Sequence, residues 1–229
     1  MVYIFLLRAV SIIFRLLFSF RVEGRQYLKE YKTSGRPFVI CANHRNILDP
    51  VFIVMAWGWG KKMTIMGKAE LFRNPVLAWL FRQVGAFPVE RGKGDRGAIE
   101  KAVADIKTGR GMLIFPEGTR GAYDTMAKMK SGAFMIAGQT GADIVPVRMI
   151  YPTKSKKMEF FGPVVVKIGR PLTAEDLQLE GGSKEMLRRA KNLTARAMDG
   201  LLDEYCRSTG YQPLTVPRPE RTVTGDENN

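Results

Sequence analysis

Short apolar runs recur along this chain, and most of them lead through a turn-forming segment into a helical pattern. Residues 37–42 read as a buried strand followed by a helix at 50–59. Residues 62–67 read as a strand followed by a helix at 75–84, and 85–89 as a short extended piece before a helix at 98–107 that Gly109 would stop. Residues 111–115 form an apolar strand ending at Pro116, 131–139 a helix, 144–150 and 164–168 strands, and 183–208 a long helix. This alternation implies an α/β fold with a largely parallel central sheet flanked by helices. In such folds the chemistry sits where strands end and the chain turns into helices. The length suits one domain with a sizeable core, or one domain plus a small appendage.

Two strand exits carry residues suited to chemistry. The first is Asn43-His44-Arg45-Asn46-Ile47-Leu48-Asp49-Pro50, which holds the only histidine of the chain. Imidazole is the side chain that titrates unperturbed near neutrality, and a nearby carboxylate can hold it in one tautomer. His44 and Asp49 are therefore candidates for a proton-transfer pair. Asp49-Pro50 also has a purely structural reading, aspartate as N-cap with proline at the first helical position. The two roles are compatible if one carboxylate oxygen caps while the other receives the imidazole proton. The second exit is Phe115-Pro116-Glu117-Gly118-Thr119-Arg120. It reads either as a strand-to-turn transition with a surface ion pair, or as a loop whose amides and arginine organise an anionic substrate.

Charge and composition narrow the partners. Lysine and arginine outnumber aspartate and glutamate by 36 − 22 = 14. Such a field favours anionic partners: nucleic acid, an anionic leaflet, phosphorylated substrates or an acidic carrier protein. The basic residues are scattered among glycine and methionine, without the signature of a nucleic-acid module, and Lys154-Ser155-Lys156-Lys157 reads as a solvated loop. With one histidine and two cysteines a zinc site is poorly supplied, so neither metal nor cofactor is expected. Cys41, in a buried apolar run, reads as a small hydrophobe rather than a nucleophile. Gly92-Lys93-Gly94-Asp95-Arg96-Gly97 matches G-x-G-x-x-G in form. A dinucleotide fingerprint needs an apolar strand running straight into its first glycine, and Pro88 and Glu90-Arg91 interrupt that here, so a basic turn is the better account.

Apolar residues make up 45% of the chain, too few for a multi-span membrane protein. Residues 1–20 are nonetheless apolar except at Arg8, Ser11, Arg15 and Ser19, which fall on one helical face. Two arginines at a bilayer centre would each cost about 2.5–3.5 kcal/mol, which argues against a span. A helix lying in the membrane interface fits better. A secretory signal and a helix packed on the protein's own core are the rival readings. From Tyr211 onward proline, threonine and charge dominate, implying a disordered or draped tail.

These residues resemble the glycerolipid acyltransferases, most closely the bacterial 1-acylglycerol-3-phosphate acyltransferases. Asn43-His44 with Asp49 looks like the family's N-H-x4-D motif, and Phe115 to Arg120 matches its F-P-E-G-T-R block as it stands. Gly85 to Arg91 and Ile144-Val145-Pro146-Val147 are similar to two further blocks, as are Lys68-Ala69-Glu70-Leu71 and Lys130-Ser131-Gly132-Ala133. Together they span about residues 36–171 in family order. Arg45-Asn46 departs from the glutamine or arginine followed by serine in many members, which bears on substrate preference rather than chemistry.

The resemblance implies transfer of a fatty acyl group from a thioester to the free hydroxyl of 1-acylglycerol 3-phosphate. His44 would be the base and Asp49 its orienting partner, supported by Asn43. Arg91, helped by Lys130 and Arg120, would hold the phosphate, while Glu117 and Gly118, with Thr119 beside them, would shape the acceptor pocket. The implied partners are acyl-carrier protein or acyl-coenzyme A as donor, lysophosphatidic acid as acceptor and an anionic membrane surface, with no nucleic acid. The expected organisation is a membrane-associating helix at 1–24, an acyltransferase domain at 25–210 and the tail at 211–229, on the cytoplasmic face of the cell membrane. Glycerol 3-phosphate or another lysolipid is the alternative acceptor. A catalytically silent membrane-binding protein is the alternative of another class.

Overall fold

The computed structural model describes residues 2–58, 63–90 and 96–215. In chain order the elements are α1 (Val2–Leu17), β1 (Ser19–Glu23), α2 (Lys29–Thr33), β2 (Phe38–Ala42), α3 (Asp49–Trp57), β3 (Thr64–Lys68), α4 (Pro75–Gln83), β4 (Ala86–Val89), α5 (Arg96–Lys107), β5 (Met112–Ile114), α6 (Gly132–Thr140), β6 (Asp143–Ile150), β7 (Pro163–Ile168), α7 (Ala174–Leu177) and α8 (Lys184–Thr209). The strands form one seven-stranded sheet in the order β1-β7-β6-β2-β5-β3-β4. Every neighbouring pair is parallel except β6 and β7. The expected α/β architecture is present.

β2 lies at the centre and is buried throughout. Its side chains alternate between faces, as the pleat requires. Phe38, Ile40 and Ala42 join a core beneath α3, with Phe52, Ile53 and Met55. Val39 and Cys41 face the opposite core, built from α5, α6 and α8 with Ala102, Phe134 and Met198. Burial on all sides pushes the Cys41 thiol up to about 12, in keeping with a hydrophobe rather than a nucleophile. Pro88 is tolerated because β4 is the edge strand and lacks a neighbour on one side. Residues 92–95 of the glycine-rich basic turn lie outside the described residues.

Two expectations are corrected. Residues 1–24 are not one helix. α1 ends at Leu17, Phe18 is buried, and Ser19–Glu23 pairs in parallel with β7. Ser19 therefore leaves the polar stripe of Arg8, Ser11 and Arg15. The apolar residues at 14, 17, 18, 20 and 22 satisfy both a helical and a strand period, and the open edge of the β-branched β7 decides for the strand. The later half of α1 packs on the core, with the Phe14 ring edge-on to Phe52 at 5.3 Å. Phe5, Ile12, Ile13 and Leu16 remain exposed. The second correction concerns the tail. Tyr211 is buried, and Leu214 exchanges backbone and side-chain hydrogen bonds with Asp124, so residues 211–215 are packed. Residues 216–229 lie outside the described set.

Candidate active site

The site forms where β2 ends. Beyond Ala42 the backbone leaves the sheet, but Asn43 continues the ladder with its side chain. Its Nδ2 donates to the Met149 carbonyl at 3.1 Å, and its Oδ1 accepts from the Met149 N–H at 2.7 Å. A side-chain amide has the same donor and acceptor as a peptide group, so this pairing satisfies β6 while freeing the next residue to turn. That residue is His44. Its N–H donates to Glu117 Oε1 at 3.2 Å, and its carbonyl accepts from the Gly121 N–H at 2.7 Å. The segment after β5 thus grips the histidine backbone from two sides.

His44 Nδ1 lies 2.9 Å from Asp49 Oδ2. The same oxygen accepts from the N–H groups of Arg45 at 2.7 Å and Asn46 at 2.8 Å. Oδ1 accepts from the Tyr151 hydroxyl. Asp49 is fully buried and His44 nearly so. Asp49 is not the N-cap of α3, contrary to its structural reading. Leu48 occupies the cap position without a side-chain bond, and Asp49 is the first helical residue. Its carboxylate turns back toward the preceding loop, where a buried charge gains more from four donors than from one exposed helix end. With Nδ1 engaged, Nε2 is the nitrogen left for a substrate proton.

The F-P-E-G-T-R segment is placed beside this pair, but its residues divide in role. Among the described residues Glu117 forms no ion pair at the surface. It is buried, with Oε1 on the His44 amide and Oε2 on the Ala127 amide at 2.9 Å. It therefore braces the loops on either side of it. Gly118 has φ +76, and a Cβ there would fall 2.8 Å from the Lys130 side chain, so glycine permits both the turn and the close passage of Lys130. Thr119, Arg120 and Lys130 are exposed near the site, Arg120 directly before the amide that bonds His44. Arg91 lies outside the described residues.

Several contributions escaped the sequence reading. Tyr151 sits just past β6, where a hydroxyl at the end of an apolar strand was the available signal. Phe115 stacks on the His44 ring at 4.1 Å between centroids. Asp124 is buried and gathers the Arg45 guanidinium, the Tyr211 hydroxyl at 3.0 Å and the Leu214 N–H at 2.8 Å, while its carbonyl accepts from the fully buried Arg148. Arg45 also donates to the carbonyls of Ala122 at 3.2 Å and Lys156 at 2.6 Å. Asn46 accepts from the Leu48 N–H at 3.0 Å, a local turn. The two residues that depart from the family pattern are thus used to hold the loop.

A cavity of about 500 Å³ has Phe115 in its wall. Its walls include Met66, Val89, Ile99, Ile114 and Met135, with Gly118 and Lys130 contributing polar groups.

An α/β sheet whose central strand ends in a buried carboxylate–imidazole pair, beside an apolar cavity, defines a domain equipped for base-assisted group transfer. A sequence model of the acyltransferase family matches residues 19–150, and the chain belongs to that family. The 1-acyl-sn-glycerol-3-phosphate acyltransferase of Bacillus subtilis is 30% identical over 196 residues, covering 83% of this chain and 95% of that protein. The enzyme of that name from Streptococcus pneumoniae is 31% identical over 142 residues, 62% of this chain and 52% of the relative. The chloroplastic enzyme BAT2 from Brassica napus is 27% identical over 190 residues, 80% of this chain and 53% of the relative. The chain thus spans about half the length of several relatives it matches. The crystal structure of the 1-acyl-sn-glycerophosphate (LPA) acyltransferase PlsC from Thermotoga maritima superposes with a TM-score of 0.66 at 25% identity, covering 90% of this chain and 82% of that one.

Proposed function

We propose that this chain transfers a fatty acyl group from a thioester, carried by acyl-carrier protein or coenzyme A, to the free hydroxyl of 1-acylglycerol 3-phosphate. The product is phosphatidic acid. The observation that carries this reading is Phe115, which stacks on the imidazole and also lines the apolar cavity. An acyl chain seated there would bring its thioester carbonyl beside Nε2.

His44 takes the proton of the acceptor hydroxyl as its oxygen attacks the thioester carbonyl. The tetrahedral intermediate collapses with cleavage of the carbon–sulfur bond, and the imidazolium returns its proton to the departing thiolate. Asp49 stabilises that imidazolium and fixes the tautomer. The nucleophile arrives with the substrate, so no acyl-enzyme forms. Arg91, Lys130 and Arg120 supply positive charge for the acceptor phosphate, with Thr119 adjoining Arg120. Glu117 and Gly118 shape the acceptor pocket through the loop they build. No helix among the described residues is long and apolar enough to cross a membrane, and we place the protein at the surface of the cell membrane, on its cytoplasmic face, through the exposed side of α1. The test is a labelled acyl thioester incubated with lysophosphatidic acid, with glycerol 3-phosphate or with neither. Label in phosphatidic acid alone is expected. Free fatty acid independent of acceptor would indicate a hydrolase, transfer to glycerol 3-phosphate another acceptor class, and no turnover a silent protein.

A further inference from the structure

Two phenylalanines project from the turn that precedes β7. Phe160 and Phe161 are 70% and 75% exposed, although aromatic side chains gain much from burial. Phe161 also has φ +60, a backbone region that bulky residues enter only at a cost. The turn is tied firmly to the end of α1. The Phe161 N–H donates to the Leu17 carbonyl at 2.7 Å, the Ser19 N–H donates to the Gly162 carbonyl at 3.0 Å, and Phe160 stacks on buried Phe18 at 5.8 Å. The aromatic tip and the exposed Ile13 and Leu16 of α1 therefore form one body.

Topology brings this tip to the catalytic edge. β7 runs antiparallel to β6, and β1 parallel to β7, so both begin at the edge where β2 and β6 end. That edge carries His44, Asp49 and Tyr151. The β6–β7 connection also presents exposed Lys154 and Lys157, and Arg45 of the catalytic loop bonds the Lys156 carbonyl within it. An apolar tip flanked by lysines, on a chain of net charge +14, is complementary to an anionic bilayer rather than to an acidic protein groove.

We propose that the Phe160–Phe161 turn is a second membrane contact, entering the acyl region of an anionic bilayer beside α1 and holding the catalytic edge against the surface. This rests on the membrane reading above. The test uses the full chain and vesicles of phosphatidylcholine and phosphatidylglycerol. In a Cys206→Ser background, Phe160→Cys carries an environment-sensitive fluorophore, since buried Cys41 is protected. Vesicles should shift its emission to the blue, and lipid-borne quenchers should reduce it. Phe160→Ser with Phe161→Ser should weaken vesicle affinity roughly tenfold or more, with transfer to detergent-dispersed lysolipid within about twofold of the unaltered chain. Unchanged emission on vesicles that bind the protein, or doubly substituted protein binding within about twofold, would overturn the proposal. Insertion of the labelled turn without acyl transfer would sustain it while refuting the proposed reaction. An unaltered chain that binds no vesicles would remove the membrane reading and this contact together.

Discussion

The Tyr151 hydroxyl donates to Asp49 across 102 residues of sequence, completing the donor set of a buried carboxylate whose other oxygen faces His44. Removing one buried donor costs about 1–3 kcal/mol, and each 1.36 kcal/mol is about tenfold in rate. Tyr151→Phe should lower kcat roughly tenfold with both KM values little changed, because the hydroxyl acts through Asp49 rather than on substrate. Steady-state kinetics with both substrates varied would test this; kcat within about twofold of the unaltered enzyme would contradict it.

His44 and Asp49 should separate in their effects on stability. His44→Ala removes the proposed base and should cost about 10²–10⁴ in kcat, with the circular dichroism melt nearly unchanged. Asp49→Ala should lose activity and also lower Tm, because it strands the amides of Arg45 and Asn46 and the Tyr151 hydroxyl. Equal Tm values for the two variants would mean that the carboxylate does not hold the loop.

Asn43 is a structural joint. Asn43→Ala breaks two bonds to Met149. A loss of about 2 kcal/mol corresponds to about 4–8 °C in Tm for a domain of this size. Calorimetry showing no change would refute the joint. Asn43→Asp should recover little, since a carboxylate cannot donate to the Met149 carbonyl.

The ordered start of the tail should matter to activity. Ending the chain at Gly210 removes Tyr211 and Leu214 from Asp124, which also holds Arg45 of the loop between His44 and Asp49. Reduced kcat and reduced Tm are expected together, and Tyr211→Phe should show a milder form of both. A truncated protein with full activity would show that Asp124 and Arg45 hold the loop unaided.

Alkali should unfold the protein through its buried acids. Burial raises Cys41 from 9.0 to about 12. Burial first, then the neighbouring carboxylates Asp143, Asp49 and Asp124, raise Tyr31, Tyr151 and Tyr211 above the ordinary tyrosine value of 10.0. A raised acid binds its proton more tightly in the folded state, so its stabilisation is complete below the unfolded value and is lost as pH climbs through the folded one. The urea midpoint should therefore fall from about pH 9 upward. Cys41 should resist thiol reagents until the chain unfolds; rapid labelling of the native protein would contradict its burial.

Much of this protein was legible in its sequence because the signals are local. The continuous apolar run at 38–42, helical spacing after Pro50 and Pro75, and the strand-ending motifs at His44 and Phe115 each report on residues a few positions apart, and so revealed the parallel α/β sheet and the pairing of His44 with Asp49. What the tertiary structure decided lies between distant segments. Glu117 meets the His44 amide across 73 residues, and Asn43 meets Met149 across 106. β1 takes its strand form from the free edge of β7, and residues 211–215 are ordered by Asp124. A polar side chain carries no record of its partner; strand order and register choose it, and these follow from how the whole apolar core is buried at once.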